Sequence, residues 1–180
     1  MINKKVELAF NEQIRHELES AYLYQAMVAY FRSTGLDGMA QWMSVQALEE
    51  LTHAKRFFDH IVDRGGRVVL AALAQPKAEW TSALDAFRDA YKHEQFITGR
   101  IADLMRLTSA ENDLPGQEML RWFVSEQVEE EASTSRVVQQ LELAGNSGGS
   151  LLMLDRELGT RQFTGTLIGP QEATTDAQAV

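Results

Sequence analysis

Apolar residues recur at intervals of three and four along most of the chain, the spacing that places them on one face of an α-helix. This spacing predicts a first helix over about Lys5–Ser33 and a second over about Asp37–Arg64. A third helix is predicted from Thr81-Ser82 and a fourth from Pro115-Gly116 to Gly145. Since no strand-like alternation occurs, the predicted fold class is all-α.

The lengths of the connections predict how these helices are arranged. The first and second helices, and the third and fourth, are joined by short links, so each pair should form an antiparallel hairpin. The link from about Arg67 to Trp80, at ~3.3 Å per residue, can span the length of a helix, which predicts parallel second and third helices. After a Gly/Ser hinge at 147–150, a short fifth helix is predicted over Leu151–Phe163. We therefore expect one domain over 1–163 and a loosely ordered tail over 164–180.

Composition narrows the possible functions of this 180-residue, 20.2 kDa chain. Its formal net charge is −9, which makes nucleic acid an unfavourable partner, since phosphate binding depends on lysine and arginine. It has no cysteine, so thiolate metal sites and thiol nucleophiles are excluded. The first residues lack the apolar run of a signal peptide and no stretch is apolar enough to span a membrane, so we expect a soluble, cytoplasmic protein without a membrane partner.

Polar residues interrupt the apolar stripes near the middle of each predicted helix. Glu17 falls between apolar positions of the first stripe, and Glu94 does so in the third. On the second helix Glu50 and His53 lie one turn apart, and the fourth helix repeats this spacing with a glutamine and a glutamate, Gln127 and Glu130. Because the midpoints of four packed helices meet, these side chains should converge inside the bundle.

Converging buried carboxylates require a counter-charge, because an unpaired buried charge is expensive. The four inward glutamates carry −4 when ionised, and two ferrous ions would neutralise them. Carboxylate oxygens with one imidazole and no sulfur suit iron or manganese better than zinc or Cu(I). The alternative is a structural bundle that binds metal only through its acidic surface.

The segment Glu49-Glu50-Leu51-Thr52-His53-Ala54 resembles the iron-binding segment of the ferritin family. The resemblance extends over about residues 5–163 and includes Glu17 with Tyr24, Glu94, and the run 126–130. It implies a four-helix bundle with a long crossover between helices two and three and a short C-terminal helix. Gln127 is similar to its counterpart in non-haem ferritins, and Leu51 stands where haem-binding relatives have methionine, so no haem is expected.

The resemblance implies a di-iron ferroxidase centre within one subunit. One iron would be held by Glu17, Glu50 and His53, which are therefore expected to be catalytic. The second would be held by Glu50 as a bridge, with Glu94 and Glu130, and Gln127 would lie beside these ligands. Tyr24 would hydrogen-bond a ligand carboxylate and donate an electron, although a buried tyrosine that simply satisfies its hydroxyl is an equally good interpretation.

A third iron site is also implied by similarity to bacterial non-haem ferritins. It would use Glu49, Glu126 and Glu129 and share Glu130. Without the resemblance, such a run of glutamates is typical of a solvated helix face.

The function implied by the resemblance is iron storage. Fe(II) would be oxidised by O2 or hydrogen peroxide, and ferric mineral would be kept in a hollow homo-oligomeric shell of twenty-four subunits. The alternative is a di-iron oxidase or peroxidase of the same bundle class that does not store iron.

Overall fold

Five α-helices account for the regular structure of the protein in a computed structural model, which describes residues 1–165. The four long helices and the short one are α1 (Lys4–Ser33), α2 (Asp37–Asp63), α3 (Ala83–Ala110), α4 (Leu114–Ala144) and α5 (Gly148–Leu158). No strand is present within residues 1–165, so the all-α fold is confirmed. The predicted tail at 164–180 lies almost wholly outside the described residues.

The long connection makes α2 and α3 run in the same direction, as its length predicts. Near their starts, the rings of Trp42 and Phe87 pack with centroids 5.2 Å apart. Near their ends, Arg64 donates two hydrogen bonds to Asp113, at 2.6 and 2.8 Å. The connection is held against the bundle at Trp80, whose indole N–H donates to Asp89 at 2.9 Å. Contacts at both ends of α2 therefore align it with α3.

A polar layer divides the apolar core of the bundle into two clusters. One cluster contains Tyr24–Phe31 of α1 and buried residues from the beginnings of α2 and α3. The other contains Ile2, which precedes α1, buried residues of the first turns of α1 from Val6 to Ile14, and buried residues from the later turns of α2 and α3. Buried polar side chains occupy the middle turns between these clusters, and apolar packing on both sides holds them in place.

The short helix α5 begins earlier and ends earlier than the sequence pattern predicts. Ser147 caps it by accepting a hydrogen bond from the Ser150 amide, so 147–150 are the cap and first turn of a helix and the predicted hinge is wrong. The helix ends at Leu158 instead of continuing to Phe163. The Ser147 cap, together with packing of Leu154 and Leu158 later in α5, outweighs the low helix propensity of two consecutive glycines.

Close packing of α5 against the start of α2 explains where α5 lies. The Asp155 carboxylate accepts a hydrogen bond from the Met39 amide at 2.8 Å and so caps α2 across the tertiary contact. Any Cβ at Gly38 would collide with the Asp155 carbonyl. Glycine is therefore required at this crossing.

Within residues 1–165, none of the helices contains an apolar stretch sufficient to cross a membrane.

Candidate metal centre

The four long helices bring six polar side chains together in the middle of the bundle, and all six are at most 4% exposed. They are Glu17 from α1, Glu50 and His53 from α2, Glu94 from α3, and Gln127 and Glu130 from α4. The predicted convergence of the helix midpoints is thus what the structure shows.

Glu17, Glu50 and His53 form a compact potential metal-binding group. One ligand atom from each lies within 4.8 Å of the others, and all three residues are buried. His53 Nδ1 is 3.3 Å from a Glu50 oxygen, as the one-turn spacing on α2 allows. One Glu17 oxygen accepts a hydrogen bond from Gln13, while the other is buried and has no hydrogen-bond partner in the described part of the chain. That oxygen is available to a cation.

His53, Glu126 and Glu130 form a second group of the same kind. Glu126 is half-buried, so this group lies closer to solvent than the first. Gln46 donates a hydrogen bond to Glu130 at 2.7 Å and orients its carboxylate. The imidazole of His53 belongs to both groups, which places them next to each other across α2 and α4.

Glu94 belongs to neither group, because its carboxylate is held by other side chains. One oxygen accepts a short hydrogen bond from the Tyr24 hydroxyl, and the other accepts from Gln127 at 3.3 Å. Gln127 also donates to the Glu94 carbonyl at 3.3 Å. Tyr24 and Gln127 therefore both contact the centre through Glu94.

Burial raises the pKa of every carboxyl group in the centre. The pKa values of Glu17 and Glu130 rise to about 8, chiefly through desolvation and then through a neighbouring glutamate. The pKa of Glu50 is raised well above its usual range for the same reasons. The pKa of Glu94 rises only to about 7, since the hydrogen bonds from Tyr24 and Gln127 favour its ionised form. Without metal, the centre holds protons at neutral pH.

The remaining expected third-site residues, Glu49 and Glu129, are not gathered into a group. Glu49 forms an ion pair with Arg161 at 2.6 Å, and Glu129 is exposed. Of the three residues predicted to build a third site with Glu130, only Glu126 joins it in a cluster.

Two contacts of the centre lie outside what the sequence pattern predicts. Gln13 orients Glu17, and the available signal was its position four residues earlier on the same helix face. Arg161 reaches Glu49 from 112 residues away, and no local pattern could have indicated that contact.

Trp122 packs edge-on against His53 with ring centroids 5.5 Å apart, which supports a role for Trp122 in packing around the centre.

The donor set fits ferrous iron. It offers carboxylate oxygens and one imidazole, the ligands that suit iron, and no lysine or arginine within residues 1–165 pairs with the four central glutamates. The unpartnered Glu17 oxygen is the kind of buried acceptor that a metal ion satisfies.

Comparison with known proteins identifies a family and related sequences that match most of the chain. Residues 7–144 match the ferritin-like domain family. The chain is 36% identical over 163 residues to a bacterial non-heme ferritin of Staphylococcus saprophyticus, covering 91% of this chain and 98% of that protein. A bacterial non-heme ferritin of Escherichia coli is 38% identical over 160 residues, covering 89% and 97% of the two chains.

Solved structures also resemble the protein throughout the bundle. An open-pore ferritin from the hyperthermophilic archaeon Archaeoglobus fulgidus superposes with a TM-score of 0.89 at 47% identity, covering 90% of this chain and all of that one. A humanized archaeal ferritin gives a TM-score of 0.91 at 46% identity, with 92% and 100% coverage.

Proposed function

This chain belongs to the ferritin family, and we propose that it stores iron by oxidising Fe(II) at a di-iron centre within each subunit. The product, ferric mineral, is deposited in a hollow shell. Its activity is that of a ferroxidase: two Fe(II) ions give up two electrons, which reduce O2 to hydrogen peroxide or hydrogen peroxide to water. The observation that carries this proposal is the fully buried group of Glu17, Glu50 and His53.

These three residues are the proposed ligands of the first iron. The group is preformed, so Fe(II) binding needs little rearrangement of the helices. It does require proton loss, because Glu17 and Glu50 are held largely neutral by burial. The negative charge that results favours the more highly charged ferric product.

Glu50, Glu94 and Glu130 are the proposed ligands of the second iron. Support comes from their proximity, since Glu94 raises the pKa of both Glu50 and Glu130 by charge repulsion. Each Glu94 oxygen accepts one hydrogen bond, from Tyr24 or from Gln127, and keeps a lone pair for a metal contact. The second site is less compact than the first, because Glu94 belongs to neither group of close ligand atoms.

Tyr24 is proposed to act on the centre through Glu94. Its hydroxyl is fully buried and has the Glu94 carboxylate as its acceptor, and burial with that negative neighbour raises the pKa of the hydroxyl well above its usual range. It stays protonated and positions Glu94 at neutral pH. Its proposed electron donation rests on the family resemblance.

A third iron site is proposed at Glu49, Glu126 and Glu129, sharing Glu130. The cluster of His53, Glu126 and Glu130 supports its inner part. Crystals soaked with Fe(III) or Zn²⁺ should show a third metal peak between α2 and α4, and peaks only within the di-iron centre would contradict this assignment.

We propose assembly into a hollow shell of twenty-four identical subunits. Support comes from apolar side chains that remain exposed on α1, α2 and the crossover, such as Tyr22, Phe58 and Leu70, each more than 40% exposed. Size-exclusion chromatography tests this, because a monomer or dimer would favour the non-storing oxidase. Cytoplasmic location stays a prediction.

Rapid mixing of the iron-free protein with Fe(II) and O2 tests the centre. His53→Ala should abolish the fast rise in ferric absorbance, because it removes the imidazole of the first site. His60→Ala is the matched control, since His60 lies on the same helix but packs against Phe10 outside the centre. An unchanged fast phase in His53→Ala would refute the assignment.

A further inference from the structure

The residues that follow α5 turn back along α2 towards the metal centre. We call residues 159–163 the C-terminal arm. The arm starts at Gly159, which lies so close to α2 that an added Cβ would be 3.0 Å from the Gly38 Cα. Gln41 then donates a hydrogen bond to the Arg161 carbonyl at 3.2 Å. These contacts place Arg161 beside the middle turns of α2.

The Arg161 guanidinium is held between an aromatic ring and the Glu49 carboxylate. Nη2 donates to a Glu49 oxygen at 2.6 Å, and the guanidinium carbon lies 4.4 Å above the Trp42 ring. Both charged side chains are about one-fifth exposed, so water screens the pair only partly. Arg161 Nη1 is buried without a hydrogen-bond partner among the described residues.

Glu49 is the only proposed iron ligand in residues 1–165 that pairs with an arginine or lysine. Its carboxylate also lies within electrostatic range of Glu126, which forms no ion pair with the lysines and arginines of residues 1–165. A positive charge therefore already occupies the side of Glu49 that faces the C-terminal arm. A cation at the third site must compete with it.

We propose that Arg161 is a positioning residue that holds the third site closed by pairing with Glu49, so that a third cation binds only when the arginine is displaced. This inference rests on the proposed function. It makes the third site weaker than the di-iron centre, so that a cation held there passes on readily. The C-terminal arm thereby controls how tightly a cation binds beside the centre.

Calorimetric titration of the iron-free protein with Zn²⁺ alone, without oxygen, tests this inference. The wild type should show events in the di-iron centre and a weaker third event. Arg161→Gln should tighten the third event about fivefold, since an ion pair of this exposure is worth on the order of that factor. Arg161→Lys should restore weak binding, because the positive charge returns.

Two control variants separate the ion pair from other effects. Arg156→Gln removes the same charge from the exposed face of α5 and should leave the third event unchanged. Glu49→Gln should weaken the third event and remove the effect of Arg161→Gln. If Arg161→Gln leaves the third event unchanged, if Arg156→Gln tightens it equally, or if no variant shows it, the inference is overturned. Loss of the events in the di-iron centre of the wild type would overturn the proposed function instead.

Discussion

Glu17→Gln should stabilise the iron-free protein, although it removes a proposed iron ligand. Burial, followed by repulsion from Glu50, raises the pKa of Glu17 from its usual 4.5 to about 8. Between these two pH values the folded protein holds a proton that the unfolded chain releases. The contribution of Glu17 to stability therefore falls as pH rises through this window. Glutamine has the same shape and cannot ionise, so the variant does not lose this stability as pH rises.

The stabilisation expected for Glu17→Gln follows from the difference between the folded and unfolded pKa values of Glu17, at about 1.36 kcal/mol per pH unit. The stabilisation should be about 1.5 kcal/mol at pH 5.5 and about 4 kcal/mol at pH 7.5. Urea unfolding in the presence of a chelator, at one subunit concentration, measures both values. Comparing the two pH values cancels any constant effect of the amide on packing.

Glu157→Gln is the control, because Glu157 is exposed on α5 and its replacement should change stability little at either pH. A Glu17→Gln protein that is no more stable than the wild type at pH 7.5, or whose advantage does not grow with pH, would refute the reasoning. It would mean that Glu17 is not desolvated in the centre.

Three further predictions concern the packing at Gly38, the ion pair between Asp113 and Arg64, and the protons released when metal binds. Gly38→Ala should cost about 2 kcal/mol or more in thermal unfolding, because its Cβ meets the Asp155 carbonyl, whereas Gly99→Ala, with open space around it, should be neutral or slightly stabilising. Asp113→Asn should cost about 2–3 kcal/mol in urea unfolding, since it removes the charge of a carboxylate that is buried and accepts two hydrogen bonds from Arg64. A loss below about 0.5 kcal/mol, the value typical of a surface ion pair, would contradict this prediction. Zn²⁺ binding should tighten from pH 6 to pH 8 and release protons at pH 7, because the buried carboxyl groups bind metal only when ionised. Calorimetry in two buffers of different ionisation enthalpy measures the proton release. Binding that does not depend on pH would contradict this prediction.

The helices and the polar layer could be predicted from sequence because both depend on local periodicity. An apolar stripe interrupted at Glu17 or Glu94 places those residues inside whatever the stripe packs against. The donor types indicate iron or manganese, and the family resemblance then implies iron and the ferroxidase activity. Membership of the ferritin family, the fold and the ferroxidase function are confirmed.

What the sequence pattern missed depends on tertiary contacts. Two consecutive glycines at 148–149 indicate a hinge by propensity, but the Ser147 cap and packing on α2 make them helical. The pairing of Arg161 with Glu49 joins residues far apart in sequence, and the hydrogen bond of Tyr24 to a ligand carboxylate is expected only from the family resemblance. Such contacts are set by the packed fold and leave no local pattern.

Aerobic titration of the iron-free protein with Fe(II), followed by ferric absorbance, tests the central claim most directly. We predict a fast phase that saturates at about two irons per subunit, followed by slower uptake far beyond that number. The fast phase reports the buried centre, and the continued uptake reports the storage cavity. Absence of a fast phase would contradict the assignment of the centre, and oxidation that stops after it would contradict iron storage.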